Sequence, residues 1–194
     1  MKQKSKLRPL ILALLLHIAV CVPACAQQVG IKTNLLYDLT STPNLAVEVG
    51  LARRVSAQLL FAINPWEFSQ ERMLRHWQLM PEVRFWTCQK FNGHFLGLHA
   101  MGGEFKFVDA PVLGSMFGKL KDRKVAGWNA GVGLTYGYQW ILSKHWNLEA
   151  AIGVGYNYID YERYNCGRCG RLTKRGTMNY FGPTKLALSL EYLF

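Results

Sequence analysis

Cys166 and Cys169, three positions apart, are the pair whose residue types and spacing most directly suggest chemistry. A Cys-x-x-Cys step can carry dithiol redox chemistry or supply half of a zinc site. A structural zinc site takes four ligands, and beyond the N-terminal region the sequence offers one further cysteine, Cys88. Thiol oxidoreductase chemistry would place the pair at a helix start in a thioredoxin-like unit, and no helical period is visible there. Cysteines of exported proteins are normally oxidised, so the spacing predicts a local disulfide. Closing so short a loop adds little stability, because the gain grows with loop length; its effect would be on loop shape. Cys88 is left as a lone thiol without evident chemistry.

Nucleophilic catalysis needs a base beside a nucleophile and a third group that orients the base. His76 and His99 could serve as bases, and Ser69 or Ser115 as nucleophiles, but no spacing joins them. The sequence therefore predicts no catalytic residue, no metal and no cofactor. Two groups of charges remain. Lys32, Glu48, Glu82, Arg84, Glu149, Lys185 and Glu191 share one parity within their segments. Arg163, Arg168, Arg171, Lys174 and Arg175 cluster around the cysteine pair, and Lys119, Lys121, Arg123 and Lys124 precede them in another connection. Guanidinium groups fork onto phosphate, so the arginine cluster is expected to contact lipopolysaccharide or another polyanion; the alternative is a plainly solvated loop.

The elements that would hold these residues are strands. From Trp128 to Trp140 every second residue is large and apolar or aromatic, while Asn129, Gly131, Gly133, Thr135, Gly137 and Gln139 fall between. The same split runs from Trp146 to Tyr158 and from Lys185 to Phe194. Strand side chains alternate between faces, so each segment has one greasy face with aromatics near its ends and one small, polar face. Lipid-facing strands show this pattern, and the polar set, including the seven charges, would fill a narrow lumen. Less pure repeats at Val29–Tyr37, Asn44–Leu51, Val55–Ile63, Trp77–Phe85 and Phe95–Phe105 bring the number to eight. Pro81 interrupts the fourth, and a bulge is expected there. The predicted fold is all-β: a transmembrane, antiparallel up-and-down β-barrel of about eight strands. A soluble sandwich or lipocalin-like cup is the competing reading, but its polar faces would carry more Lys and Glu than these do.

Connections after Leu51, near Cys88 and at Ser143 are brief, while those at 64–75, 106–126 and 160–178 are long. Outer-membrane barrels pair short periplasmic turns with long outer loops, which would put both ends of the barrel chain in the periplasm. Lys2, Lys4, Lys6 and Arg8 precede an apolar run from Leu10 to Val22 and then Ala24-Cys25-Ala26, the three parts of a signal peptide. The expected division is 1–26 signal peptide and 27–194 barrel domain; a lipobox ending at Cys25 remains an alternative. Removing the four basic residues of the leader takes the formal charge from +11 to +7 over 168 residues. In an exported protein such an excess points to lipid phosphates or acidic glycans rather than nucleic acid.

Asn34–Asp38 (NLLYD), Thr42–Leu45 (TPNL), Phe91–His99 (FNGHFLGLH), Tyr136–Ser143 (YGYQWILS), Cys166–Cys169 (CGRC) and Asn179–Lys185 (NYFGPTK) together resemble the Bacteroides-type family of unknown function numbered 3575. The resemblance implies a small barrel in the outer membrane of a Gram-negative bacterium, with fimbrial or surface proteins as candidate partners; lipid, lipopolysaccharide and the barrel assembly machinery are the other partners expected. Tyr192-Leu-Phe194 resembles the aromatic end signal read by that machinery. The expected function is non-enzymatic, structural or surface-interacting, with a narrow channel or carrier for small apolar molecules as the alternative.

Overall fold

A strand must find hydrogen-bond partners on both sides or leave an open edge, and here every strand finds two. The computed structural model describes residues 28–66, 73–108, 124–164 and 172–194. Eight strands follow in chain order: β1 (Val29–Asn34), β2 (Asn44–Ala52), β3 (Val55–Asn64), β4 (Met73–Trp86), β5 (Gly93–Val108), β6 (Lys124–Ile141), β7 (Trp146–Tyr164) and β8 (Leu172–Leu193). One short helix, α1 (Leu35–Leu39), joins β1 to β2. Each strand pairs antiparallel with the next, and β1 pairs with β8 from Gly30↔Leu193 to Asn34↔Ser189, which closes an up-and-down ring.

The two faces divide by side-chain type. Leu45, Leu59, Phe61, Leu79, Val83, Leu96, Leu98, Leu134, Ile152 and Leu186 point away from the ring and are exposed, Leu134 and Leu186 to 63% and 64%. Lys32, Glu48, Gln58, Arg84, His99, Thr135, Gln139 and Glu149 point inward and are buried. The wall is uneven: β1 to β3 have 6, 9 and 10 residues, and β6 to β8 have 18, 19 and 22. The tall side rises at the end away from Val29 and Leu193, here the loop end; the other is the terminal end.

Four local features differ from the sequence expectation. β1 stops at Asn34, not Tyr37, because the Asn34 side chain caps α1 by accepting from the Leu36 amide at 3.2 Å. It also accepts from the Leu188 amide at 3.1 Å and donates to Leu186 O at 3.2 Å, so α1 folds back beside β8. Pro81 produces no bulge: Leu79↔Gly102 and Glu82↔His99 keep one register, and the ladder to β5 is interrupted only at Met80 and Pro81, while Pro81 pairs with Leu59. A bulge lies instead in β8, where Gly153 faces Lys185 but Val154 faces Pro183, and the register also shifts between Gly50 and Ala52 and between Arg163 and Tyr164. Finally, β5 to β8 continue well into the segments expected to be long loops, to Val108, Lys124, Tyr164 and Leu172.

Each end of the interior is closed by apolar side chains. At the terminal end the β4–β5 turn carries Phe91 at φ 63° and Gly93 at φ 78°, a left-handed bend that glycine adopts freely and phenylalanine does not. The bend turns Phe91 under the ring, where it is 3% exposed with its ring 6.1 Å from that of Trp86; Phe95 lies 4.9 Å from Trp86 on the other side. Toward the loop end Leu60, Met80, Met101 and Ala46 pack together under Tyr37 of α1.

Candidate functional site

The interior between those two apolar layers is where the ring concentrates its chemistry. Arg84 is its hub. Its Nη1 lies 2.8 Å from Glu48 Oε2 and 2.7 Å from Glu149 Oε2, its Nη2 donates to Glu149 Oε1 at 3.0 Å, and its Nε donates to Glu82 Oε1 at 3.1 Å. The guanidinium also stacks 4.4 Å over the Phe95 ring. Lys32 reaches Glu48 at 2.5 Å, Glu149 at 2.7 Å and Glu191 at 3.3 Å, while Lys185 pairs with Glu82. All seven charges grouped by parity in the sequence thus meet in one network, three cations against four carboxylates. Uncharged neighbours complete it: Ser56 donates to Glu48 and accepts from Trp86 Nε1 at 2.8 Å, and Gln139 donates to Glu191.

Burial explains the density of these contacts. A lone ion in a dry interior loses several kcal/mol of hydration, recovered only through close, multiple partners. The space left among Lys32, Gln58, Met80, Glu149, Lys185 and Ser189 has a volume of about 10 Å³, room for one water at most. The network is therefore a plug.

His99, whose facing the sequence left undecided, is an interior residue. Its Nδ1 is 2.8 Å from Thr135 Oγ1 and its Nε2 3.0 Å from Thr184 Oγ1. Thr184 is the extra residue of the β8 bulge, and the bulge turns both Thr184 and Lys185 inward. The hydrogen-bond partners of the imidazole among the described residues are thus two threonine hydroxyls. His76 is half-buried, edge-on to Phe107 at 6.1 Å. Ser69 and Ser115 lie outside the described residues, as do Cys166, Cys169, Arg168 and Arg171. Cys88 is an exposed thiol in the β4–β5 turn.

The described members of the arginine cluster occupy two faces. Arg163 and Lys174 are opposite one another on the inward side, with Arg163 5.8 Å over the Tyr161 ring. Arg175 points outward and pairs with Glu162, which also accepts from the Tyr164 hydroxyl at 2.6 Å. The Tyr164 and Arg175 hydrogen bonds hold Glu162 below its ordinary value of 4.5.

Sequence reasoning put Gln139 and Ser56 on the polar faces without naming them as members of the network, and missed Thr184 and Phe91 as parts of the interior. Gln139 and Ser56 carried the signal, since both sit on the polar parity of their strands; the bulge and the left-handed turn had none.

An eight-stranded antiparallel ring with a filled, ion-paired interior and an apolar exterior is the class of protein that fold and site define. The chain belongs to the family described as protein of unknown function (DUF3575), whose model matches residues 11–194. No curated protein matches it.

Proposed function

We propose that this protein is a non-enzymatic transmembrane β-barrel of a Gram-negative outer membrane, exported by its N-terminal signal peptide, whose plugged interior makes it a rigid scaffold for structures carried at the loop end. The observation that carries the reading is the encircling band of exposed Leu, Ile, Val, Phe, Trp and Tyr side chains around an interior of ion pairs. In water this arrangement would expose a large contiguous apolar surface; in hydrocarbon it is the stable one, because a sheet closed into a ring leaves no backbone group unpaired there. Trp128 and Trp77 mark the band toward the loop end, and Trp140 and Trp146 toward the terminal end, the girdle positions of interfacial aromatics.

Tilted strands of about 9 to 11 residues suffice to cross a bilayer. The 16 to 22 residues of β5 to β8 exceed that, so their upper halves would stand in the outer medium as a projecting wall. Such a wall suits surface contact or support of fimbrial assembly better than transport, which needs an open path that a 10 Å³ void does not give. Folded barrels resist unfolding in detergent until heated, so the purified chain is expected to migrate faster on a gel before boiling than after. It is also expected to leave planar bilayers non-conducting. Identical mobility before and after boiling would refute the membrane barrel, and steady ion conductance would restore the channel reading.

A further inference from the structure

The interior network holds one carboxylate more than it has cations, and its contacts show where the surplus falls. Glu48 meets Lys32 and Arg84, Glu82 meets Arg84 and Lys185, and Glu149 meets Arg84 and Lys32. Among the described residues Glu191 has the Lys32 ammonium alone, 3.3 Å from its Oε1. Lys90 packs over Gly50 at the terminal end, is half-buried, and makes no ion pair with the four carboxylates among the described residues. An unmatched charge in a dry interior is costly, and Glu191 is fully buried.

Oxygens without donors gather at the same carboxylate. Asn147 of β7 lies directly opposite Glu191 of β8. Its Nδ2 and the Nε2 of Gln139, on β6, both turn to Glu191 Oε2. This leaves Glu191 Oε1, Gln139 Oε1 and Asn147 Oδ1 buried with no hydrogen-bond partner. An amide oxygen stands about 2.3 Å from its own nitrogen, so all three lie within about 6 Å of Glu191 Oε2. Gly30 makes the space for Oε1, since a Cβ there would collide with it.

Buried acceptors are rarely left unpaired, and the possible occupants differ in what they supply. One water donates to two of the three oxygens and leaves the charge in place. A proton on Glu191 cancels the charge but provides a single O–H, so an amide oxygen stays orphaned. A small cation ligated by oxygen answers both needs. A divalent ion would overshoot the charge by one and takes six or more oxygens. We infer that Glu191, Gln139 and Asn147 bind a small monovalent cation of the sodium class through these three oxygens, at the end of the plug closed by Phe91. The site lies inside the ring and does not depend on the membrane reading.

The test uses the purified protein in nonionic detergent micelles, with sodium chloride exchanged for choline chloride at constant ionic strength and the urea midpoint as readout. The wild-type midpoint is expected to rise with sodium; above the dissociation constant each tenfold increase should lower the unfolding constant by about tenfold. E191Q leaves three cations against three carboxylates. It should lose the sodium dependence and, in choline, exceed the wild-type midpoint, which the mere loss of a structural contact would not produce. Q139M keeps the side-chain length and removes one of the oxygens, so it should raise the sodium concentration for half the effect several-fold; it decides the matter if E191Q fails to fold. A wild-type midpoint indifferent to sodium, an equal sodium effect in E191Q or Q139M, or a lower midpoint for E191Q in choline overturns the site. Indifference to sodium joined to a midpoint that rises as pH falls, in wild type and not in E191Q, assigns the charge to a proton and overturns the cation.

Discussion

At Arg84 three carboxylates converge on one fully buried guanidinium. Removing it strands those carboxylates in a dry space, so Arg84→Ala is expected to cost about 3–5 kcal/mol, read as a shift in the denaturant midpoint of the refolded protein. Truncating Glu149 in the same chain should recover part of that loss, because charges leave in opposite pairs; a double variant worse than the sum of both singles would contradict the network. At the loop end, Glu162 offers a titration. Its folded value lies below 4.5, so the stability it lends is present above that pH and disappears as pH falls through the depressed value. NMR of the Glu162 carboxyl should give a midpoint under 4.5, rising toward it in Arg175→Ala; no movement would mean the ion pair is not formed. The interior charges were legible because strand parity alone sorts Lys32, Glu48, Glu82, Arg84, Glu149, Lys185 and Glu191 to one side. Parity could not say which cation meets which acid, since that depends on register across the ring.

Strands keep their register here through small residues opposite large ones. A Cβ on Gly133 would stand 2.7 Å from the His99 ring and 2.7 Å from Val154 O, and one on Gly153 3.0 Å from His99. The two glycines therefore make the slot that holds His99 between Thr135 and Thr184. Gly133→Val should destabilise by about 1–3 kcal/mol through overpacking, whereas Leu134→Val, one residue away on the outward face, should cost less. Equal midpoints for the two variants would contradict the inward assignment. The strong alternation of β6, β7 and the last third of β8 made those elements readable in the sequence. Their upper halves were not: beyond Trp128 and Tyr158 the outward residues become Ala126, Lys124, Asp160 and Glu162, so the contrast between faces that marks a membrane strand fades although the ladder continues. The helix at Leu35–Leu39 was hidden for a different reason, since Asn34 can extend a strand or cap a helix and only its contacts with Leu36, Leu186 and Leu188 decide.

For the whole molecule, the surroundings of the outward face determine everything else. The same ring in water would bury its leucines and show its glutamates; here the leucines are out and the glutamates in, an order that hydrocarbon favours by roughly 25 cal/mol for each Å² of apolar surface it covers. Filling of the interior follows from the strand number, since eight strands leave space for side chains and little more. The uneven wall then gives the molecule one bare end and one built-up end, the latter carrying the charged outward positions of β4 to β8.

The most direct measurement is the environment of a spin label at position 134, with a second at position 177 as reference, in a cysteine-free background reconstituted into lipid. Leu134→Cys is expected to place its label where oxygen collides with it freely and a water-soluble nickel chelate does not, while Thr177→Cys reports the reverse. A label at 134 that meets the chelate as readily as the one at 177 would put the apolar face in water and contradict the membrane-spanning ring.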